Sequence, residues 1–201
     1  MKTPEVNIMN ITSFPAQTIW ANWQIMHNEK ALHPVQAPDD LLPFLRTIAN
    51  QPHKGVLEFV QINFNISNVS RAFQQQLTRH RTASYIIQSM RIVKVATFAD
   101  DWNFHVPPGI DPMLYHASMK KIQDIYVSHL AAGMKQEAAR GFLPLNVFSP
   151  INMSINFRNL LSLFAQRSSN DTQSEFKMVV EAMKLEIKLA YPHLFSAFIE
   201  A

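Results

Sequence analysis

Val60-Gln61-Ile62-Asn63-Phe64-Asn65-Ile66 alternates without a break. Val60, Ile62, Phe64 and Ile66 fall on one face and Gln61, Asn63 and Asn65 on the other, the pattern of a strand with one side in a core. Downstream, Arg71–Ser89 contains neither Gly nor Pro and predicts a helix with a break near Arg79. Arg91–Phe98, with Ile92, Val93 and Val95, predicts a second strand. Asp101–Pro112 carries four turn-forming residues and predicts a loop. Asp111-Pro112 then starts a helix as cap and first helical residue, running through Tyr115, Met119, Ile122, Tyr126 and Leu130 to a stop at Gly133. A short helical piece is expected over Gln136–Arg140, another helix over Asn152–Gln166, and a third over Gln173–Ala190. The last has an apolar stripe of Phe176, Val180, Met183, Ile187 and Ala190, closed by Pro192. Upstream, residues 1–50 are mixed, with Trp20, Trp23 and a helix over Asp40–Ile48 begun by Asp39-Asp40. With no repeat and no low-complexity tract, the expectation is one α+β domain over residues 1–201.

Composition narrows the function classes. The 201 residues are 47% hydrophobic and 16% charged, which suits a globular chain able to bury a full core. No apolar run is long enough to span a bilayer. Met1–Phe14 has no hydrophobic signal region, so the cytoplasm is the expected compartment, or a host cytoplasm for a viral protein. The absence of cysteine excludes disulfides, thiolate metal sites and any cysteine nucleophile. His105, His116, His129 and His193 lack metal-ligand spacing, so no metal is expected.

A net charge of +3 agrees weakly with an anionic partner, but the placement of the eight arginines says more. Arg79-His80-Arg81 is followed by Ser89 and Arg91. Arginine forks and a serine hydroxyl donate to anionic oxygens, and a nearby helix terminus would add backbone donors. The same residues could equally form a solvated basic helix face. Glu137 is expected to pair locally with Arg140, three residues on.

Arg-His-Arg, seven residues, then Ser resembles the signature of flavin-dependent thymidylate synthases. Four further stretches follow that family in order. Glu137–Asn146 is similar to its second nucleotide-binding stretch, and Asn156-Phe157-Arg158-Asn159-Leu160 resembles its Asn-x-Arg-Ser-Leu motif. Arg167 with Asp171–Glu175 is similar to its Arg…Ala-Gln-x-Glu-Ile segment. Upstream, His53 and Glu58 have the spacing of its His-Glu-x-Pro-Phe-Glu motif. The resemblance is strongest over residues 53–198, and six of the eight arginines fall in the matching motifs.

The resemblance implies an α+β domain with a mixed or antiparallel sheet packed on helices. It also implies reductive methylation of dUMP to dTMP with FAD as cofactor, methylenetetrahydrofolate as carbon donor and NADPH as reductant, in a homotetramer. On this reading Arg79, His80 and Arg81 contact FAD, and Arg79 also faces the uracil. His53 lies against the flavin ring with Glu58 supporting it, and Asn156, Arg158 and Ser162 complete the flavin pocket. Gln76, Ser89, Arg91 and Arg140 hold the dUMP phosphate and sugar. Arg167 binds the pyrimidine and, as the catalytic residue, stabilises its negative charge. Neither a membrane nor a nucleic-acid partner is expected. On residues alone, His53 could be a plain loop histidine and Glu58 an exposed strand residue.

The chain departs from the family at several places. Ile86-Ile87 stands where the family has Asn-Glu, Met90 where it has Gly, Ile92 where it has Tyr, and Ser162 where it has Asn. Gly55-Val56-Leu57 replaces Thr-Pro-Phe. Two isoleucines remove a charge and several hydrogen-bonding groups from beside the base, a place that Gln88 or Tyr85 could fill. Two alternatives therefore stay open: a variant C5 reaction such as hydroxymethylation, and a nucleotide-binding relative without catalysis.

Overall fold

A computed structural model describes residues 1–27, 37–169 and 171–200. The alternating stretch forms β2 (Gln61–Ser67), with Ile62, Phe64 and Ile66 fully buried. Each such side chain contributes about 1.5–3 kcal/mol by leaving water. Its polar face is ordered too. Asn63 donates to Asn10 and Asn65 donates to Asn152, each at 2.7 Å. These cross-strand amide bonds join β2 to its neighbours β1 (Glu5–Ile11) and β4 (Ile151–Asn156). A fourth strand, β3 (Ser84–Ile87), pairs with β4, so the order is β1-β2-β4-β3 and every pairing is antiparallel.

Around the sheet lie α1 (Pro15–His27), α2 (Leu42–Ala49), α3 (Arg71–Leu77), α4 (Pro112–Ala131) and α5 (Gln136–Ala139), then α6 (Phe157–Arg167), α7 (Ser174–Ala190) and α8 (Pro192–Phe198). Single 3₁₀ turns cover Gly55–Phe59 and Arg140–Phe142. The main core fills the space between the sheet and α3, α6 and α7, through Phe64, Phe73, Met153, Phe157 and Phe176. A second cluster, with Met90, Phe98, Phe104, Met119 and Tyr126, packs under α4.

The expected ends of α4 are present. The Asp111 carboxylate accepts from the Met113 and Leu114 N–H groups at 2.8 and 2.9 Å. Gly133, at φ 88°, closes the helix: its N–H reaches the Leu130 carbonyl, and the Met134 N–H reaches that of His129. This pair of reversed bonds needs a left-handed residue, which glycine adopts without strain. α2 differs from the expected Asp39-Asp40 start: its cap position is Leu41, without a side-chain capping bond, and Asp40 one residue earlier accepts from the Leu42 N–H at 2.9 Å.

Three expectations are corrected. Arg91–Phe98 is not a strand: the Ile92 and Val93 N–H groups fold back onto the Ser89 carbonyl, and Ile92 is 78% exposed. The second half of the expected 71–89 helix is instead β3, since α3 ends at Leu77, two residues before the anticipated break. The expected 152–166 helix begins only at Phe157. Ile151, Met153 and Ile155 alternate into the core as β4, and a six-residue apolar alternation does not separate strand from helix by itself. β1, α1 and α8 had no sequence expectation.

One buried contact ties the N-terminus of α3 to that of α7. Glu175 and Ser70 are both fully buried. The carboxylate accepts from the Ser70 N–H at 2.7 Å and from its hydroxyl at 2.6 Å, while the same hydroxyl accepts from the Phe73 N–H at 3.0 Å. Ser70→Ala removes a helix cap and one partner of a buried carboxylate, so it should destabilise the chain by about 2–4 kcal/mol. Urea unfolding measures this, and a loss below about 0.5 kcal/mol would show that the contact is dispensable.

Candidate functional site

α3 and the turn after it carry the basic segment. The first N–H groups of α3 do not face an open site. Arg71 N–H donates to the Val147 carbonyl at 3.2 Å, Ala72 N–H to the Leu145 carbonyl at 3.0 Å, and Phe73 N–H to the Ser70 hydroxyl. The backbone donors expected from a helix start are therefore engaged within the chain. Anion recognition here falls to side chains.

Two cavities flank α3. The larger, about 390 Å³, lies between α3, the end of β3 and the turn at Arg140, with Arg71, Gln74, Ser89 and Arg140 in its wall. The smaller, about 330 Å³, is lined by Ala72, Gln75, Gln76, Arg79 and Arg167. Gln75 lines both, so the two adjoin. Among the described residues lining them, none carries a carboxylate. Four arginines with amide and hydroxyl donors make a surface suited to an anion of two connected parts.

Of the residues expected to hold a phosphate and base, Gln76, Arg79 and Arg167 meet in the small cavity and Ser89 and Arg140 in the large one. Arg91 lines neither cavity. Its guanidinium ion-pairs with Glu137 at 3.0 Å, both side chains being more than half exposed. The expected Glu137–Arg140 pair is thereby replaced, and Arg140 lines the cavity instead. Arg71, Gln74, Gln75 and Thr78 also line it and were not anticipated. Their spacing of three and four residues marks one helix face, a signal that was available in the sequence.

Arg167, at the end of α6, donates its Nε–H to His80 Nε2 at 3.0 Å and sits 4.5 Å from the centroid of the Phe176 ring. Burial, and secondarily the Arg167 charge, holds the His80 imidazole below its ordinary pKa. It is a neutral acceptor, with its proton on Nδ1. The Tyr85 hydroxyl lies 2.9 Å from both the Leu77 and the His80 carbonyls, and its burial raises its pKa to about 12. Tyr85 therefore braces the basic turn and is not available to a base. Gln88 does line the large cavity, beside Ile87. Ile86 instead lines a separate groove, which Met9 and Asn63 also line, so the two isoleucines do not act together.

Of the residues expected around a flavin, Arg79 and His80 stand at the small cavity and the others lie elsewhere. Glu58, in the 3₁₀ turn, forms an ion pair with Arg158 in the first turn of α6, both about half exposed. Asn156 caps α6, accepting from the Asn159 N–H at 2.8 Å, and Ser162 Oγ lies 3.4 Å from the Arg158 carbonyl. His53 and Arg81 are exposed. Asn156 is thus engaged in folding its own helix. No group of acidic or histidine side chains among the described residues could hold a metal.

Adjoining cavities lined by arginine and lacking carboxylates lie at the edge of the antiparallel sheet of an α+β protein, a surface suited to an anion. Comparison with known proteins takes this further. The family model for thymidylate synthase complementing protein matches residues 7–193. Flavin-dependent thymidylate synthase from Pyrococcus abyssi is 32% identical over 195 residues, covering 90% of this chain and 78% of that one. That from Thermococcus onnurineus is 30% identical, covering 91% and 78%. The chain belongs to the flavin-dependent thymidylate synthase family. The fold is similar to that of thymidylate synthase X from Helicobacter pylori, solved with FAD and dUMP, at a TM-score of 0.76 and 21% identity, with 98% of each chain covered. It is also similar to PolB, a UMP/dUMP methylase from Streptomyces cacaoi solved with 5-Br dUMP, at 0.77 and 20%, covering 99% of this chain and 96% of that one.

The causes of the His80 shift give a prediction. Folding favours the neutral ring, so this histidine's contribution to stability is present above the ordinary imidazole pKa and is lost as the pH falls through the lowered one. In Arg167→Met the pKa should rise only part of the way back, because burial is the larger cause. An NMR titration of His80 checks this, and full recovery of the ordinary value would make the charge the dominant cause.

Proposed function

We propose that this chain catalyses the reductive methylation of dUMP to dTMP, with FAD as cofactor, methylenetetrahydrofolate as carbon donor and NADPH as reductant. The observation that carries this is the pair of adjoining cavities lined by arginine and free of carboxylates. The phosphate occupies the larger one, against Arg140, Arg71 and Ser89, and the pyrimidine lies by Arg79 and Arg167, with Gln76 between. Arg91 joins the phosphate by giving up Glu137, an exposed pair worth about 0–1 kcal/mol and hence easily exchanged.

The donor chemistry fits FAD. Arg79, Arg81 and Arg158 offer planar forks for a diphosphate, and the exposed His53 ring offers a flat face for the flavin. When bound, FAD would supply the redox chemistry, and the absence of cysteine rules out activation of the ring by thiolate attack. The chain's own residues bind and orient. Arg140 and Ser89 anchor the nucleotide at its phosphate, which sets the reach of the base. Arg167 then places positive charge against the pyrimidine as negative charge develops on it, in a cavity where no carboxylate competes. Ile87 makes its part of the large cavity's wall apolar, beside the polar Gln88 and Ser89.

The FAD-binding residues lie over separate parts of the surface, which suits a pocket completed by other copies of the chain. α4 also leaves Met113 and Leu114 67% and 70% exposed, apolar surface of the kind oligomers cover. We therefore expect one domain per chain and a homotetramer. Light scattering should give four times the chain mass, and a monomer retaining FAD would end this part of the reading. No described helix is long and apolar enough to cross a membrane, and the cytoplasm is the proposed compartment.

The test is to incubate the protein with dUMP, methylenetetrahydrofolate and NADPH and to identify the product by mass. Formation of dTMP is expected, whereas a hydroxymethylated product would assign the variant reaction. Arg140→Ala should weaken dUMP binding by about 1.5–3 kcal/mol, the range for hydrogen bonds to a charged group. Unchanged affinity would remove Arg140 from the site.

A further inference from the structure

We infer that His80 is a positioning residue for Arg167, orienting its guanidinium toward the pyrimidine without neutralising it. This rests on the proposed reading in which Arg167 faces the base. Three arginines in the matched motifs have a side-chain partner that receives their charge or their N–H. Arg91 is held by Glu137 and Arg158 by Glu58, both carboxylates. Arg167 differs, because its Nε–H donates to the neutral Nε2 of His80 and its flat face lies on the Phe176 ring.

The difference matters chemically. A carboxylate would fix the fork equally well but would cancel the charge that the site needs. An imidazole acceptor and an aromatic face fix direction and leave the full positive charge. Binding Nε–H to His80 also leaves the two terminal nitrogens, which form the bidentate edge, to the cavity that Arg79 and Gln76 line. The carboxylate of Glu175, next to Phe176 in sequence, is buried and bonded to Ser70 through both oxygens.

His80 is itself held. The Tyr85 hydroxyl lies 2.9 Å from its carbonyl, and its ring packs on Phe176 with centroids 6.1 Å apart. Among the described residues, Arg167 from α6 bears on its ring, Tyr85 from β3 reaches its carbonyl, Arg79 and Arg81 flank it in sequence, and Glu175 directly precedes the Phe176 on which the ring packs. The arrangement requires a neutral ring. A protonated His80 has no lone pair for Nε–H, and its charge repels the guanidinium.

The test compares His80→Gln, whose amide oxygen can stand near the Nε2 position and does not titrate, with His80→Leu, which offers no acceptor. In the FAD-loaded protein, NMR of the arginine Nε–H groups should show a slowly exchanging Arg167 signal. That signal should persist in His80→Gln and disappear in His80→Leu, whatever the flavin content. Turnover should fall on the order of a hundredfold in His80→Leu, the scale of a misplaced catalytic group, with a much smaller change in KM for dUMP. His80→Gln should recover most of that loss and flatten the acidic limb of the kcat–pH profile. An unchanged Arg167 signal in His80→Leu, or equal turnover losses in the two variants, would overturn the proposal. Arg167→Lys separates the two levels of inference. Retained turnover in that variant would refute the reading of Arg167 itself, whereas a large loss there with no effect of His80→Leu refutes only the positioning role.

Discussion

The buried carboxylate of Glu175 is the contact on which the rest of the site depends. An ion shut away from water is tolerated only when its oxygens are satisfied, and here both accept from Ser70. Ser70 in turn caps α3, so the first turn of one helix is tied to the first turn of another from 105 residues away. The consequences run both ways along the chain. α3 presents Arg71, Gln75 and Thr78 on one face and leads into Arg79 and His80. α7, starting at the same carboxylate, brings Phe176 beneath Arg167. The spacing between the acceptor and the aromatic face that hold this arginine is thus set in the core, not on the surface.

Around that frame the arginines are treated differently according to what holds them. Those paired with carboxylates are half-exposed, and such pairs contribute little to stability. They can exchange a protein carboxylate for a ligand anion at small cost. Arg167 has packing and a neutral acceptor, which keep it still and fully charged. Preorganised charge in a partly enclosed site acts more strongly than mobile charge in water. A ligand anion with one end against exchangeable or unpaired forks and the other against a fixed one would be bound at the first and polarised at the second.

The edge strand β3 shows how a local change can be confined. Ile86 and Ile87 replace a polar pair of the family, yet successive strand residues face opposite ways. Ile87 enters the large cavity while Ile86 lies on the outer face of the sheet, 75% exposed. Only one of the two can alter what the cavity recognises. Next to it, Gln74 is 5% exposed and donates to the Ser149 carbonyl, so the cavity floor keeps a fixed amide. The polarity lost at Ile87 is thereby partly offset by groups that belong to α3 and β4's approach rather than to the edge.

Some of this was decided along the chain and some was not. The alternation of Val60–Ile66, the Asp111-Pro112 start, the Gly133 stop and the stripe of α7 are local patterns, and each was legible because its cause lies within one turn or one pleat. The arginine motifs, with the absence of cysteine, likewise carried the family. β3 and β4 were misread because short apolar runs fit a helix or a strand until a neighbour accepts their hydrogen bonds, and the partners of β4 in β2 lie 85 to 95 residues earlier. The partners of the arginines were out of reach for the same reason. Whether Arg91 meets Glu137, Arg140 a cavity, or Arg167 an imidazole depends on directions that side chains take only after distant segments pack. Residue type and order along the chain therefore determined which charges exist and which elements carry them. The tertiary structure decided which charges are neutralised and which are left to act, because that depends on contacts between segments and not on spacing within one.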